Sequence, residues 1–175
     1  HQDVVTRRQW CVFAALAMAG EGCRHSGKRV SAMTLALHPF KIDVTPPLGG
    51  YLCGGLHDTS LSIETPLYLR GIVFVPPHGR HVVAAIDFCY ACGRSYRRLV
   101  EALADGADTP ASNVTVHANH LHDAPLIDEV PHRLIEEHCP ELRFHDEAYF
   151  ARVLADTRVG VATAMRRTGQ EVSGI

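Results

Sequence analysis

The chain has 175 residues, of which 46% are hydrophobic and 21% are charged, and its formal net charge is -2. This length and composition suit one folded domain with a substantial core and exclude an intrinsically disordered chain. No basic block stands out, so the electrostatic footprint of a nucleic-acid-binding protein is missing, and a small or non-phosphate substrate fits the sequence better.

Residues 1–36 have the character of an export signal followed by a linker. Arg7 and Arg8 precede the uncharged residues 10–20, which gives a basic region followed by a short apolar one. This apolar run is shorter than the roughly 20 residues that a transmembrane helix needs. We therefore expect export to the periplasm or the medium, by the twin-arginine route, and weak packing of everything before Phe40 on the domain. A short amphipathic helix is the alternative interpretation.

Three strands are predicted next, at the start of a domain that spans residues 37–175. Residues 40–45 alternate apolar and polar side chains, as a half-buried strand does, and the prolines and glycines of residues 46–50 end it. A long loop follows over residues 53–66. Residues 67–75 and 81–87 then supply two strands with the spacing of a hairpin, and the second is apolar enough to be central.

A strand, helix, strand order follows this hairpin. Residues 95–104 carry apolar side chains at helical spacing, and residues 114–119 form the next strand. Such an order favours a right-handed parallel crossover, whose two strands end at the same edge of a sheet. Residues 130–139 and 147–167 are predicted helices, and residues 171–175 resemble the entry to another strand. The predicted fold is α/β: a mixed sheet with a parallel strand-helix-strand crossover and flanking helices.

The most informative motif is His117-Ala-Asn-His120-Leu-His122-Asp123, directly after the apolar residues 114–116. In an extended segment alternate side chains share a face, so His120 and His122 are expected to point one way and Leu121 the other. Two neutral imidazoles that converge can bind zinc, but a catalytic zinc needs a third protein ligand from elsewhere. The alternative is a pair of ordinary polar residues on a half-exposed strand.

Asp87 lies at the end of the strand that the crossover joins to this motif. Because parallel strands finish at one edge, Asp87 is expected to face the region of His120 and His122. There it is a candidate metal ligand, general base or partner that orients an imidazole. The alternative is a residue that caps the helix beginning near Gly93.

The six cysteines lack the spacing of a disulfide framework in a chain of this size. Only Cys89-Tyr-Ala-Cys92 has the form of a motif. Such a pair can be half of a zinc ribbon or a redox dithiol, but the second pair that a ribbon needs and the Trp-Cys-Gly-Pro context of a thioredoxin are both missing. We expect cysteines that act as small buried hydrophobic residues.

Four sequence blocks have the order and spacing of one enzyme family. They are Phe40-Lys-Ile-Asp43-Val-Thr45-Pro46-Pro47-Leu-Gly49, Pro66-Leu-Tyr68-Leu-Arg70-Gly-Ile-Val, Ile86-Asp87, and Asn113-Val-Thr-Val with His120-Leu-His122-Asp123-Ala-Pro125. From about Phe40 to its end the chain resembles the amino-terminal part of the neutral/alkaline non-lysosomal ceramidases. The resemblance implies a zinc hydrolase that cleaves an amide (N-acyl) bond in a small-molecule or lipid substrate.

The resemblance also implies roles for individual residues. His120 falls on the first histidine of the family's His-Thr-His-Ser-Gly/Ala-Pro motif, which is a ligand of the catalytic zinc. His122 would be a further ligand, or would hydrogen-bond the tetrahedral oxyanion or pass a proton to the leaving amine. Asp123 and Asp87 would orient the imidazoles. Leu121 and Asp123 replace the usual threonine and serine, so the substrate need not be ceramide.

The family's other zinc ligands are a second histidine, a glutamate and a tyrosine, and none has a match before Ile175. The resemblance therefore implies that they lie beyond residue 175 and that this chain alone is inactive. Two other interpretations stay open. A barrel amidohydrolase also carries a His-x-His pair, although on its first strand. A non-catalytic binding domain would have kept the fold and lost the zinc.

Overall fold

A five-stranded mixed sheet lies at the centre of the structure, a computed structural model that describes residues 34–55 and 59–173. Its strands are β1 (Thr34–Asp43), β2 (Tyr68–Val75), β3 (His81–Ile86), β5 (Val114–Ala118) and β7 (Gln170–Ser173). Two short strands, β4 (Tyr90–Ala91) and β6 (Leu126–Ile127), pair separately. The helices are α1 (Gly93–Ala107), α2 (Glu129–His138) and α3 (Glu147–Met165), and short 3-10 turns occupy Cys53–Gly55 and Ala111–Asn113.

The strand order across the sheet is β5-β3-β2-β1-β7. β1 pairs antiparallel with both β2 and β7, and β2 and β3 form the predicted antiparallel hairpin. β3 and β5 run parallel, and α1 lies between them in the chain. The predicted α/β class and the strand-helix-strand crossover are therefore confirmed.

β1 differs from the prediction, because it begins at Thr34 instead of Phe40. The segment Leu35-Ala-Leu37 lacks the alternation that identifies a half-buried strand, yet it is paired on both sides. Ala36 is opposite Val75 of β2 and also opposite Glu171 of β7. The expectation that everything before Phe40 packs poorly is thus wrong for residues 34–39. The arginine pair and the apolar run lie outside the described residues.

Helices α1 and α3 pack against each other and against the sheet. Leu99 and Leu103 of α1 and Phe150 and Val153 of α3 are fully buried, and each such side chain contributes about 1.5–3 kcal/mol through burial. Gly160 lets α3 approach β1 closely, since a Cβ there would lie 2.6 Å from Cγ1 of an isoleucine of that strand. No helix among the described residues is long and apolar enough to cross a membrane.

Arg98 of α1 connects the three helices. Its guanidinium donates to the Glu129 carboxylate of α2 at 2.6 Å and to the Glu147 carboxylate of α3 at 2.7 Å. The hydrogen bond from Arg98 is the main cause that lowers the pKa of Glu147 below its ordinary value. The charges of Arg98, Glu129 and Glu147 are therefore paired with one another.

Candidate functional site

The ends of β3 and β5 lie side by side, as the crossover requires. Asp87 follows the last residue of β3, and Asn119 and His120 follow the last residue of β5. The ladder continues beyond the strands, because the Asn119 amide donates to the Ile86 carbonyl at 2.9 Å and the His120 amide to the Phe88 carbonyl at 3.0 Å. Asp87 and His120 therefore lie at the same edge of the sheet, as predicted.

The histidine loop, residues 119–125, has both ends hydrogen-bonded to the segment that follows β3. Its first end is held by the two amides just described. At its second end the Cys89 amide donates to the Pro125 carbonyl at 2.8 Å, and Tyr90 of β4 pairs with Leu126 of β6. Both ends of the histidine loop are thus hydrogen-bonded to residues 86–91.

The backbone turns at His120, which has a φ of 59°. This left-handed conformation is unfavourable by roughly 1–2 kcal/mol for a residue with a Cβ and persists only where neighbouring contacts impose it. The predicted alternation of faces is therefore wrong: Leu121, His122 and Asp123 line one cleft, whereas His120 lines an adjoining hollow. The His120 and His122 rings are nevertheless neighbours, with centroids 5.2 Å apart and planes at 75°.

One ring nitrogen of His120 has a clear partner. Its Nδ1 lies 3.0 Å from the Cys89 carbonyl oxygen, and the Tyr90 ring packs edge-on with centroids 6.2 Å apart. A carbonyl oxygen only accepts hydrogen bonds, so in the neutral form of this ring the proton lies on Nδ1 and the lone pair on Nε2. Metal-ligating histidines are usually oriented in this way.

Asp87 is 7% exposed and accepts three hydrogen bonds. The donors are the Tyr68 amide at 2.9 Å, the Asn119 side-chain amide at 2.7 Å and the Arg70 guanidinium at 2.7 Å. Burial by itself would raise the pKa of Asp87, but these donors outweigh it and the pKa lies below its ordinary value. Asp87 is therefore ionised at neutral pH and is linked to the histidine loop through Asn119.

Asp87 does not cap α1, whose residue at the capping position is Cys92. The sequence interpretation also missed the two side chains that bind Asp87. Both had a signal in the sequence: Arg70 is a charge within an otherwise apolar strand, and Asn119 immediately precedes His120. Asp87 is the buried charge that requires partners, and Arg70 was within reach on β2, the strand paired with β3.

The cleft beside the histidine loop has a volume of about 780 Å³. One wall comes from the loop between β1 and β2, where Leu61 and Ile63 expose 86% and 48% of their surface. Arg70, Asp87, His122 and Asp123 supply polar groups at the sheet edge, and the loop adds the polar side chains of Thr59, Ser60, Ser62, Glu64 and Thr65. This mixed lining of apolar and polar side chains suits an amphipathic small molecule.

The described residues hold no complete metal site. Within residues 34–55 and 59–173, no three side chains of His, Cys, Asp or Glu are arranged to bind one ion. The His120 and His122 rings are neighbours and have the donor chemistry that zinc prefers, so they are candidate ligands.

Cys89 and Cys92 do not act together. The Cys89 sulfur lies 3.3 Å from that of Cys53, whereas the Cys92 thiol donates to the Asp128 carboxylate at 2.7 Å. Burial, followed by these neighbours, raises the pKa of both thiols to about 11. Both thiols are therefore mainly protonated at neutral pH, and their sulfurs have different partners.

Comparison with known proteins gives one informative result. No protein-family model matches the sequence, and no curated protein matches it. Among solved structures, a neutral ceramidase from Pseudomonas aeruginosa matches with a TM-score of 0.56 and 16% sequence identity. The chain is similar in fold to this ceramidase. The match covers 81% of the chain but 22% of the ceramidase, and at this identity it establishes the fold alone.

Proposed function

We propose that the chain is part of a zinc-dependent hydrolase of the neutral ceramidase type, which cleaves an amide (N-acyl) bond. The observation that carries this proposal is the setting of His120. Its Nδ1 faces a backbone carbonyl and its ring lies against His122, at the sheet edge where Asp87 follows β3. The fold similarity to a ceramidase supports the same assignment.

His120 and His122 are the residues that would hold zinc, and further ligands must come from outside the described residues. The Cys89 carbonyl prepares His120 for zinc binding, because it keeps the proton on Nδ1 and leaves Nε2 as the atom that binds the metal. When bound, zinc supplies a water of lowered pKa and a Lewis acid for the acyl carbonyl.

The side chains in the cleft have separate tasks in this proposal. His122 lines the cleft and, as the alternative to acting as the second zinc ligand, donates an N–H to the oxygen that becomes negatively charged or passes a proton to the leaving amine. Such a role is worth about 100-fold to 10,000-fold in rate. Asp123 orients this imidazole, and Asp87 acts one step further away by holding Asn119 and so the start of the histidine loop.

The substrate class follows from the cleft lining. Leu61, Ile63 and Leu121 offer apolar contact for an acyl chain next to the polar groups at the sheet edge. We therefore assign an N-acyl amide, either a small molecule or a lipid, and not ceramide in particular. Export by the twin-arginine route stays a prediction from residues 1–36.

The test measures zinc binding and amide hydrolysis together. Zinc affinity is obtained by competition with a coloured chelator, for the 175-residue chain and for the longest form that its reading frame encodes. We expect weak binding and little activity from the chain, and about one zinc and hydrolysis of an N-acyl substrate from the longer form. His120→Ala should abolish zinc binding, whereas Asp123→Asn should keep zinc and slow turnover.

His78→Ala is the matched control, since His78 is an exposed histidine in the turn between β2 and β3. It should change neither zinc affinity nor rate. Full zinc binding by His120→Ala, or hydrolysis that survives chelation, would overturn the metallo-amidase assignment and favour a binding domain that has lost its zinc.

A further inference from the structure

We propose that Cys53 and Cys89 are joined by a disulfide bond when the chain folds in the presence of a disulfide oxidant. The two sulfurs are 3.3 Å apart, and the residues are 5% and 2% exposed. They lie on different segments, one in the 3-10 turn between β1 and β2 and the other just after β3. This inference does not depend on the proposed function, because it concerns neither zinc nor substrate.

The backbone places the two cysteines side by side. The Cys53 amide donates to the Ala124 carbonyl and the Cys89 amide to the Pro125 carbonyl, each at 2.8 Å. Both cysteines are therefore hydrogen-bonded to successive carbonyls of one chain segment. An S–S bond is about 2.05 Å long, so the sulfurs must approach by about 1.2 Å for the bond to form.

The nearby thiol of Cys92 does not compete for either sulfur. Although it is three residues from Cys89, it is directed at Asp128, to which it donates at 2.7 Å. The Cys89 thiol instead faces Cys53, within the buried part of the domain. The geometry therefore selects the pair that is distant in sequence over the pair in the Cys-x-x-Cys motif.

The reaction is a thiol–disulfide exchange with a small-molecule disulfide such as oxidised glutathione. One cysteine thiolate attacks the oxidant, forms a mixed disulfide and releases one glutathione thiol. The second cysteine thiolate then attacks the protein sulfur of that mixed disulfide and releases the second glutathione thiol. The two cysteines lose two protons and two electrons, and the oxidant is reduced to two thiols.

Burial determines when this exchange occurs. Both thiols are buried, and burial is the main cause that raises the pKa of Cys89 to about 11. A buried thiol with a raised pKa reacts slowly, so the bond forms during folding, while the sulfurs are still accessible. Once formed, it is shielded from reductants.

The bond would connect the cleft wall to the support of the histidine loop. Cys53 belongs to the loop that lines the cleft, and Cys89 provides the carbonyl that faces Nδ1 of His120. Linking residues 53 and 89 closes a loop of roughly 36 residues and restricts the unfolded chain. For a domain of this size we expect the Tm to rise by about 8–15 °C.

The experiment refolds the 175-residue chain from denaturant in a buffer of reduced and oxidised glutathione. Free thiols are then alkylated under denaturing conditions, and peptides are mapped by mass spectrometry. We expect a peptide pair linked through Cys53 and Cys89, with Cys92 and Cys139 alkylated. The oxidised protein should have the higher Tm, and the link should resist reductant until denaturant is added.

Two variants distinguish the effect of losing the disulfide bond from the effect of replacing any cysteine. Cys53→Ser should lose both the linked peptides and the difference in Tm between oxidising and reducing conditions. Cys139→Ser, the control, should keep both. Alkylation of Cys53 and Cys89 in the refolded wild-type protein would overturn the proposal, as would a link from either residue to Cys92, Cys11 or Cys23. These readouts on the wild-type protein stand even if a variant fails to fold.

Discussion

Replacing Asp87 by asparagine tests the claim that a buried anion holds the end of β3 to β2 and to the histidine loop. The substitution keeps the size of the side chain but removes its charge and turns one acceptor oxygen into a donor. The asparagine can still accept one of the hydrogen bonds from Tyr68 and Asn119. It cannot accept all of those that Asp87 accepts, so at least one donor at this edge loses its partner.

The expected loss follows from the partners of Asp87. One hydrogen bond from a buried donor to a charged acceptor contributes about 1.5–3 kcal/mol. Arg70 is 48% exposed, so its ion pair adds less than about 1 kcal/mol. We therefore expect Asp87→Asn to lower the free energy of unfolding by about 3 kcal/mol, and the Tm by roughly 6–12 °C.

The assay is urea unfolding followed by circular dichroism, with Asp156→Asn as the control. Asp156 also pairs with an arginine, Arg152, but both side chains are about half exposed, so its loss should change stability by less than about 0.5 kcal/mol. If Asp87→Asn lowers the free energy of unfolding by no more than the control does, the buried Asp87 charge does not stabilise this edge of the sheet.

The pH dependence of the stability difference between wild type and Asp87→Asn gives a second check. The pKa of Asp87 is lower in the folded state than in the unfolded state. Its stabilisation is therefore present above the unfolded pKa of about 3.9 and is lost as the pH falls through the folded pKa. The difference between wild type and Asp87→Asn should be full at pH 7 and shrink below about pH 4. A difference that stays constant down to pH 3 would contradict the role of the charge.

Three further substitutions test other parts of the structure. His120→Gly should be more stable than His120→Ala by about 1 kcal/mol in urea unfolding, because φ is 59° there; equal stabilities would exclude the left-handed backbone. Gly71→Ala should destabilise by about 1–3 kcal/mol by the same assay, since the new Cβ would lie 2.4 Å from the Phe40 ring. Asp128→Asn should lower the raised pKa of Cys92 and speed its alkylation at pH 8.5 by about 3- to 10-fold; an unchanged rate would assign the shift to burial alone.

Side-chain periodicity predicts most of the regular elements. α1, α3, β2, β3 and β5 lie within a few residues of their predicted positions, because burial of one face leaves a repeat of 3.6 or 2 in the sequence. The start of β1 is missed because Leu35-Ala-Leu37 is paired on both sides and shows no such repeat. The pairing of β1 with β7 joins residues more than 130 positions apart, which local patterns do not encode.

In the candidate site too, the features that follow from strand topology are predicted and those that depend on contacts between distant residues are missed. Parallel topology alone brings Asp87 and His120 to one edge, and this prediction agrees with the structure. The neighbouring His120 and His122 rings agree with the prediction, but the placement of Leu121 beside His122 is missed. It depends on the left-handed backbone at His120, which hydrogen bonds to Phe88 and Cys89 impose from 31 or 32 positions earlier in the chain. The proximity of Cys53 to Cys89 is non-local in the same way.

The histidine loop is hydrogen-bonded at both ends to residues 86–91, and these bonds join backbone atoms. The position of the loop ends is therefore set without the side chains in its middle. The distance between its ends is set by β3, β4 and their hydrogen bonds, and does not depend on the side chains at Leu121, His122 and Asp123. Loops with clamped ends tolerate exchange and insertion at their tips without displacing the elements beneath them. Of these three positions, Leu121 has no assigned part in holding zinc or moving a proton, so its side chain can be exchanged while the sheet and α1 keep their geometry.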